Sequence, residues 1–176
     1  MDSLVLDENG KVYLPDPAAV PRREKEDAMG AYLMMFGTWA IGLPLPIFSI
    51  IAAAVYHGIN KNKSRFVAFH SFQSMITEIV ISTLNSVFIV YLILEFIGGA
   101  KFGPFFWAFL IFAGIWNLLY LVYSIVGAVR AYHGRLFYFP FFGRFCYDIY
   151  YGARALEREK HRVMAESHKN EPPRGY

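Results

Sequence analysis

Residues 28–60 read AMGAYLMMFGTWAIGLPLPIFSIIAAAVYHGIN, thirty-three positions without one formal charge. Built as a single α-helix they would run about 50 Å, against a hydrocarbon core of about 30 Å. In the middle stands Gly42-Leu43-Pro44-Leu45-Pro46. Each proline removes a helix hydrogen bond and crowds the preceding turn. The stretch is therefore read as two short helices, roughly 27–42 and 46–60, joined by a tight proline turn. The competing reading is one long, kinked and tilted helix.

The distribution of positive charge separates the two readings. With two helices, Arg22, Arg23, Lys25, Lys61, Lys63, Arg65, Arg130, Arg135 and Arg144 border the membrane on one face, and Lys101 alone on the other. With one helix the N-terminal cations cross over and the balance falls to six against four. Basic residues gather on the cytoplasmic side of membrane proteins. The two-helix reading follows, with both termini cytoplasmic, in a multi-pass protein of a bacterial inner membrane.

Composition supports a membrane chain. Of 176 residues, 56% are hydrophobic, and 28–129 hold only six charged side chains: Lys61, Lys63, Arg65, Glu78, Glu95 and Lys101. The other 25 charges fall in the two ends, which excludes a globule charged over its whole surface. The first 27 residues carry four Lys/Arg against seven Asp/Glu, and the last 47 carry nine against five. Such a local excess fits topology and lipid contact, with no nucleic-acid partner expected. The single cysteine, Cys146, allows no internal disulfide. No cleavable leader is read before residue 28, so the first membrane helix is expected to direct insertion.

Beyond the proline turn, a third segment runs from about 66 to 96 and a fourth from about 102 to 130, each long enough to cross with tilt. Gly98-Gly99-Ala100-Lys101 is a short link that makes them antiparallel neighbours. Pro104 suits the first turn of the last helix. The expected fold is an all-α polytopic membrane bundle of four helices, the first two short, plus a C-terminal interfacial amphipathic helix. The chain then divides into a polar tail (1–27), the bundle (28–130), an interfacial aromatic segment (131–143), the amphipathic helix (144–165) and a final polar tail (166–176). In the first tail, two short apolar runs flank Asn9-Gly10, which reads as a small hairpin or as a frayed end with one turn. Pro15, Pro17 and Pro21 predict an extended linker. In the amphipathic helix Phe145, Ile149, Ala153, Leu156 and Val163 fall on one face.

The third segment carries a polar stripe. Ser71, Ser74, Glu78, Ser82 and Asn85 are spaced by 3, 4, 4 and 3, with His70 at one end. Glu78 lies about 12 residues into the helix, roughly 18 Å along it and near the bilayer centre. A carboxyl there costs on the order of 3 kcal/mol, so it needs a proton, a partner or a wet cavity. No Lys or Arg lies at that depth. Asn117, Tyr120 and Ser124 form a second stripe on the last helix, spaced 3 and 4, and are the available partners. The two stripes read either as glue between helices or as the wall of a hydrophilic path. His57, His70 and His133 cluster toward one face without metal-ligand spacing, so no metal and no cofactor is expected. No phosphate-binding loop, nucleophile elbow or paired-carboxylate motif appears, and the chain is read as non-enzymatic.

Two stretches carry a resemblance. Arg65-Phe66-Val67-Ala68-Phe69-His70-Ser71-Phe72-Gln73-Ser74 is similar to the entry into a membrane helix in a group of small bacterial membrane proteins. Ala131-Tyr132-His133-Gly134-Arg135 through Phe139-Pro140-Phe141-Phe142-Gly143-Arg144 resembles the segment after that group's last helix. The group is the family related to the twenty-kilodalton subunit of the chloroplast inner-envelope protein translocon, and the resemblance covers roughly 28–146. It singles out His70, Gln73, Gly134, Pro140, Gly143 and Arg144 as motif residues. It implies four membrane helices with both ends on the cytoplasmic or stromal side, and, from plastid members, a part in protein import. Two functions are therefore expected: an accessory or assembly subunit bound to other membrane-protein subunits and the lipid bilayer, or a translocation component with a polar path around Glu78.

Overall fold

The computed structural model describes residues 12–40, 46–99 and 102–169. These form six helices: α1 (Arg22–Ala40), α2 (Pro46–Asn60), α3 (Arg65–Ile97), α4 (Pro104–Tyr132), α5 (Gly143–Tyr150) and α6 (Ala153–Lys169). The chain is all-helical among the described residues. By length and hydropathy α3 and α4 can each cross a bilayer, and α2 is a shorter apolar helix. The proline turn itself (41–45), Lys101, the final residues 170–176 and most of the hairpin reading (4–11) lie outside the described residues.

Local chemistry sets the ends. Pro46 and Pro104 open α2 and α4, where the missing N–H costs nothing. Ser64 caps α3, its hydroxyl accepting from the Val67 N–H at 3.3 Å. Gly134 ends α4 at a φ of 74°, a left-handed conformation that suits glycine. The predicted extended linker is instead a turn: the Asp16 side chain accepts from the Ala18 N–H at 3.0 Å and its carbonyl from the Ala19 N–H at 2.9 Å. That turn launches α1 at Arg22, inside the stretch read as a polar tail. An Arg22–Glu26 pair at 2.8 Å supports the exposed first turns.

The two halves of 28–60 fold back on each other. The Tyr56 hydroxyl donates to the Asp27 carbonyl at 2.7 Å, and Lys63 meets the Asp27 carboxylate at 2.7 Å. One straight helix would hold positions 27 and 56 about 43 Å apart. The single-helix alternative is thereby excluded. α2 packs on α3, and α1 packs on α2, α3 and α4. Buried residues of α3 stop at Ser82, and the remainder of the helix is partly or fully exposed.

The C-terminal region adds detail to one expectation and departs from another. The aromatic segment packs partly into the core. It is an extended strap over 135–139 whose Phe137 and Phe139 enter the core beside Tyr32 and Tyr120, while Tyr138 faces out. Alternation of this kind is what extended backbone imposes. The single helix expected over 144–165 is two helices. At Tyr151-Gly152 both N–H groups turn back to the Tyr147 carbonyl, at 2.7 and 2.9 Å, and the periodicity restarts. The buried face is therefore Cys146, Tyr150, Tyr151 and Ala155; of the predicted face Ile149 and Leu156 pack against it, while Phe145, Ala153 and Val163 are exposed.

Cys146 packs with Val12, Ala68, Phe69 and Tyr150, so the two ends of the described chain meet on one side of the helices. Burial pushes the Cys146 thiol from its ordinary 9.0 up to about 12. The thiolate at neutral pH then falls about a thousandfold, and it is the thiolate that reacts. Maleimide labelling of the folded protein is expected to be slower than that of the denatured chain by at least that order; equal rates would refute the packing. Burial likewise raises the Tyr150 phenol to about 12. Both folded values exceed the unfolded ones. The stability they contribute is full below pH 9 and is lost as the pH climbs toward 12.

Candidate functional site

Polar groups on α3 are distributed among three partner helices as the helix winds. Ser71 turns to α2: its hydroxyl lies 2.9 Å from His57 Nδ1 and donates to the Ala68 carbonyl at 3.2 Å. Ser74 turns to α1 and donates to the Ala31 carbonyl at 2.7 Å. Glu78 and Asn85 turn to α4, and Ser82 donates back to Glu78. The predicted stripe is thus a seam that stitches α3 to each neighbour in turn.

The seam is densest around Gln73, which is fully buried. Its amide nitrogen donates to the Tyr32 hydroxyl at 2.8 Å and to the Phe137 carbonyl at 3.0 Å. Its amide oxygen accepts from the Phe139 N–H at 3.2 Å. Pairing with both the 137 carbonyl and the 139 N–H copies what a neighbouring strand would do, so one side chain satisfies the strap's backbone. The Tyr32 hydroxyl lies 2.9 Å from His70 Nδ1. Gln73 and His70, one turn apart on α3, thereby hold α1 and the strap together. His70 is also enclosed edge-on by Phe66, Phe69 and Tyr32.

Farther along, Glu78 is 6% exposed. One carboxylate oxygen accepts from Ser82 at 2.9 Å, and the other from the Tyr120 hydroxyl through a short hydrogen bond. Ser124 is buried one turn on from Tyr120. Asn85 and Asn117 exchange two amide hydrogen bonds, at 3.0 and 2.8 Å, and Asn117 also donates to the Ala113 carbonyl at 2.8 Å. Of the three partners foreseen for Glu78, Tyr120 bonds it directly and Asn117 pairs with Asn85. Among the described residues no group of three or more His, Cys, Asp or Glu is placed to hold a metal ion.

The other motif residues occupy joints. Gly134 ends α4, and a Cβ there would stand 2.6 Å from the Pro17 carbonyl oxygen. Gly143 starts α5, where a Cβ would meet Tyr138 at 2.7 Å. Pro140 lines an apolar cleft between α3 and α4 that holds about 420 Å³ including its open mouth. Arg144 is exposed. Sequence reasoning missed Tyr32 altogether and gave Gln73 no partner. The one available signal was that Tyr32 and Gln73 each put a polar tip into an apolar face.

Residues 24–146 match the family described as the magnetosome magnetite crystal formation protein family (MamF/MmsF). No curated protein and no solved structure matches the chain. The match overturns the resemblance to the chloroplast translocon family, and with it the expectation of a part in protein import. Both stretches that carried that resemblance lie within the matched residues. They mark a capped helix entry and the glycine joints after a helix, which any chain folding this way needs.

Proposed function

We propose, from the premise that the chain belongs to the magnetosome magnetite crystal formation protein family, that it serves crystal formation as an integral, multi-pass and non-catalytic subunit of the magnetosome membrane. In this reading α3 and α4 cross the bilayer, and the α1–α2 hairpin enters from the cytoplasmic side and returns. Both termini stay with the cationic border, as the positive-inside count favours. Its partners are lipid and other membrane-protein subunits. The observation that carries the non-catalytic reading is the state of Glu78: both carboxylate oxygens are occupied by Ser82 and Tyr120, so the group acts as a tie between α3 and α4.

Two substitutions test this in a magnetite-forming host that lacks its own copy. Glu78→Gln keeps acceptor capacity toward two hydroxyls, which can reorient. It is expected to leave membrane abundance and crystal size within about twofold of wild type, the scale of a repaired interhelical bond. Glu78→Leu takes the tie from both hydroxyls, stranding that of Ser82 at about 1–3 kcal/mol, and abundance and crystal size should fall together. A Gln variant present at normal abundance yet forming no crystals would show that the carboxylate itself does chemistry and would end the non-catalytic reading.

A further inference from the structure

The cleft between α3 and α4 lies beside the seam and shares Tyr120 with it. Its floor is Ile81 and Tyr120, its rim Val80, Leu119 and Trp116, and its roof the strap from Phe139 to Phe142; no residue of α1 contributes. The walls present apolar atoms only. Such a cleft offers no donor or acceptor to a polar ligand, so its occupant is hydrocarbon. The mouth runs into the exposed apolar faces of α3 and α4, through Val80, Phe112 and Leu119. At the roof, Phe141 holds a φ of 68°, which a phenylalanine rarely adopts, is 82% exposed, and stacks on Trp116 with ring centroids 6.3 Å apart. Two residues past Phe142 stands Arg144, exposed and outside every ion pair recorded among the described residues.

We propose that the cleft seats one acyl chain of an anionic phospholipid, with Arg144 meeting its headgroup. Two observations point the same way: an apolar slot open to the exposed apolar faces of α3 and α4, and an exposed guanidinium two residues past its roof, suited to a phosphate. The proposal rests on the bilayer reading above.

The test uses the full chain with Trp39→Phe and Trp107→Phe, which leaves Trp116 on the cleft wall as the sole tryptophan. It is reconstituted in mixed phosphatidylcholine and phosphatidylglycerol vesicles, with brominated chains, which quench indole on contact, placed on one lipid or the other. Brominated phosphatidylglycerol is expected to show an apparent preference of about fivefold, the worth of one cationic contact with an anionic headgroup. Arg144→Gln should bring the two lipids level. Val80→Phe, which fills the cleft from a rim position, should remove the excess quenching while helix content is unchanged. Equal quenching by both lipids in the parent chain overturns the site and leaves insertion intact. A chain that neither lipid quenches and that alkaline carbonate washes off overturns the bilayer reading itself. A chain that resists the wash, escapes quenching and cross-links to another copy through Leu119→Cys assigns the cleft to that copy instead, and the lipid proposal fails.

Discussion

Replacing Gln73 by leucine is expected to lower the unfolding free energy by about 2–6 kcal/mol, since two buried backbone groups of the strap lose their only described partner at about 1–3 kcal/mol each. The Phe137 carbonyl and the Phe139 N–H cannot pair with each other, because they belong to the same extended segment. The Tyr32 hydroxyl fares better, since it keeps His70. Tyr32→Phe takes a partner from both Gln73 and His70, two buried groups, and should cost about 2–6 kcal/mol by the same measure. Gln73→Glu is the sharper control: it keeps the acceptor for Phe139 but turns the other oxygen toward the Tyr32 and Phe137 oxygens, and it should cost as much as leucine. Thermal unfolding in mild detergent, followed by circular dichroism, reads all three. A leucine variant that melts with wild type would mean that the strap is not held by this side chain.

Gly134→Ala should be strongly damaging, because it falls at the buried joint after α4. The backbone alone costs about 1–2 kcal/mol at a φ of 74°. Beyond that, the new methyl would stand 2.6 Å from the Pro17 carbonyl oxygen and 2.8 Å from Lys25 Cε. The lysine end can move aside, but the Pro17 backbone belongs to the turn that launches α1. Gly99 supplies the comparison: its φ is 84° and a Cβ there meets nothing within 4 Å. Gly99→Ala should show the conformational cost only. Equal losses at the two positions would mean that the N-terminal turn does not press on the end of α4.

Much of the helical plan is legible in the sequence because bilayer physics writes it in charge and length. Thirty-three uncharged positions interrupted by Pro44 and Pro46 cannot form one rod, and α1 and α2 do turn back on each other. Spacing alone also brings Glu78 toward Tyr120 and Asn85 toward Asn117, since a helix repeats every 3.6 residues and both stripes follow it. What stays hidden is where side chains meet backbone. Gln73 binds the strap 64 and 66 positions away through peptide groups, and every residue type carries those. The break at Tyr151-Gly152 is hidden for another reason. Ile149, Ala153 and Leu156 continue a plausible apolar period straight across it, and one glycine inside such a pattern is weak evidence of an end. The family assignment was misread from motifs that specify joints, whose chemistry different families share.

The short first hairpin gives the molecule a taper. Tyr32 bonds His70 and Gln73, so α1, parallel to α3, runs out at about the level of Ser82, where burial on α3 ends. Among the described residues, 83–97 and the facing part of α4 continue beyond it. In the proposed orientation such a body fills more area in the cytoplasmic leaflet than in the opposite one. It sits with least strain where that leaflet is stretched, on the convex side of a small vesicle budding into the cell. The same coordinates that bond Gln73 would then favour a strongly bent membrane over a flat one.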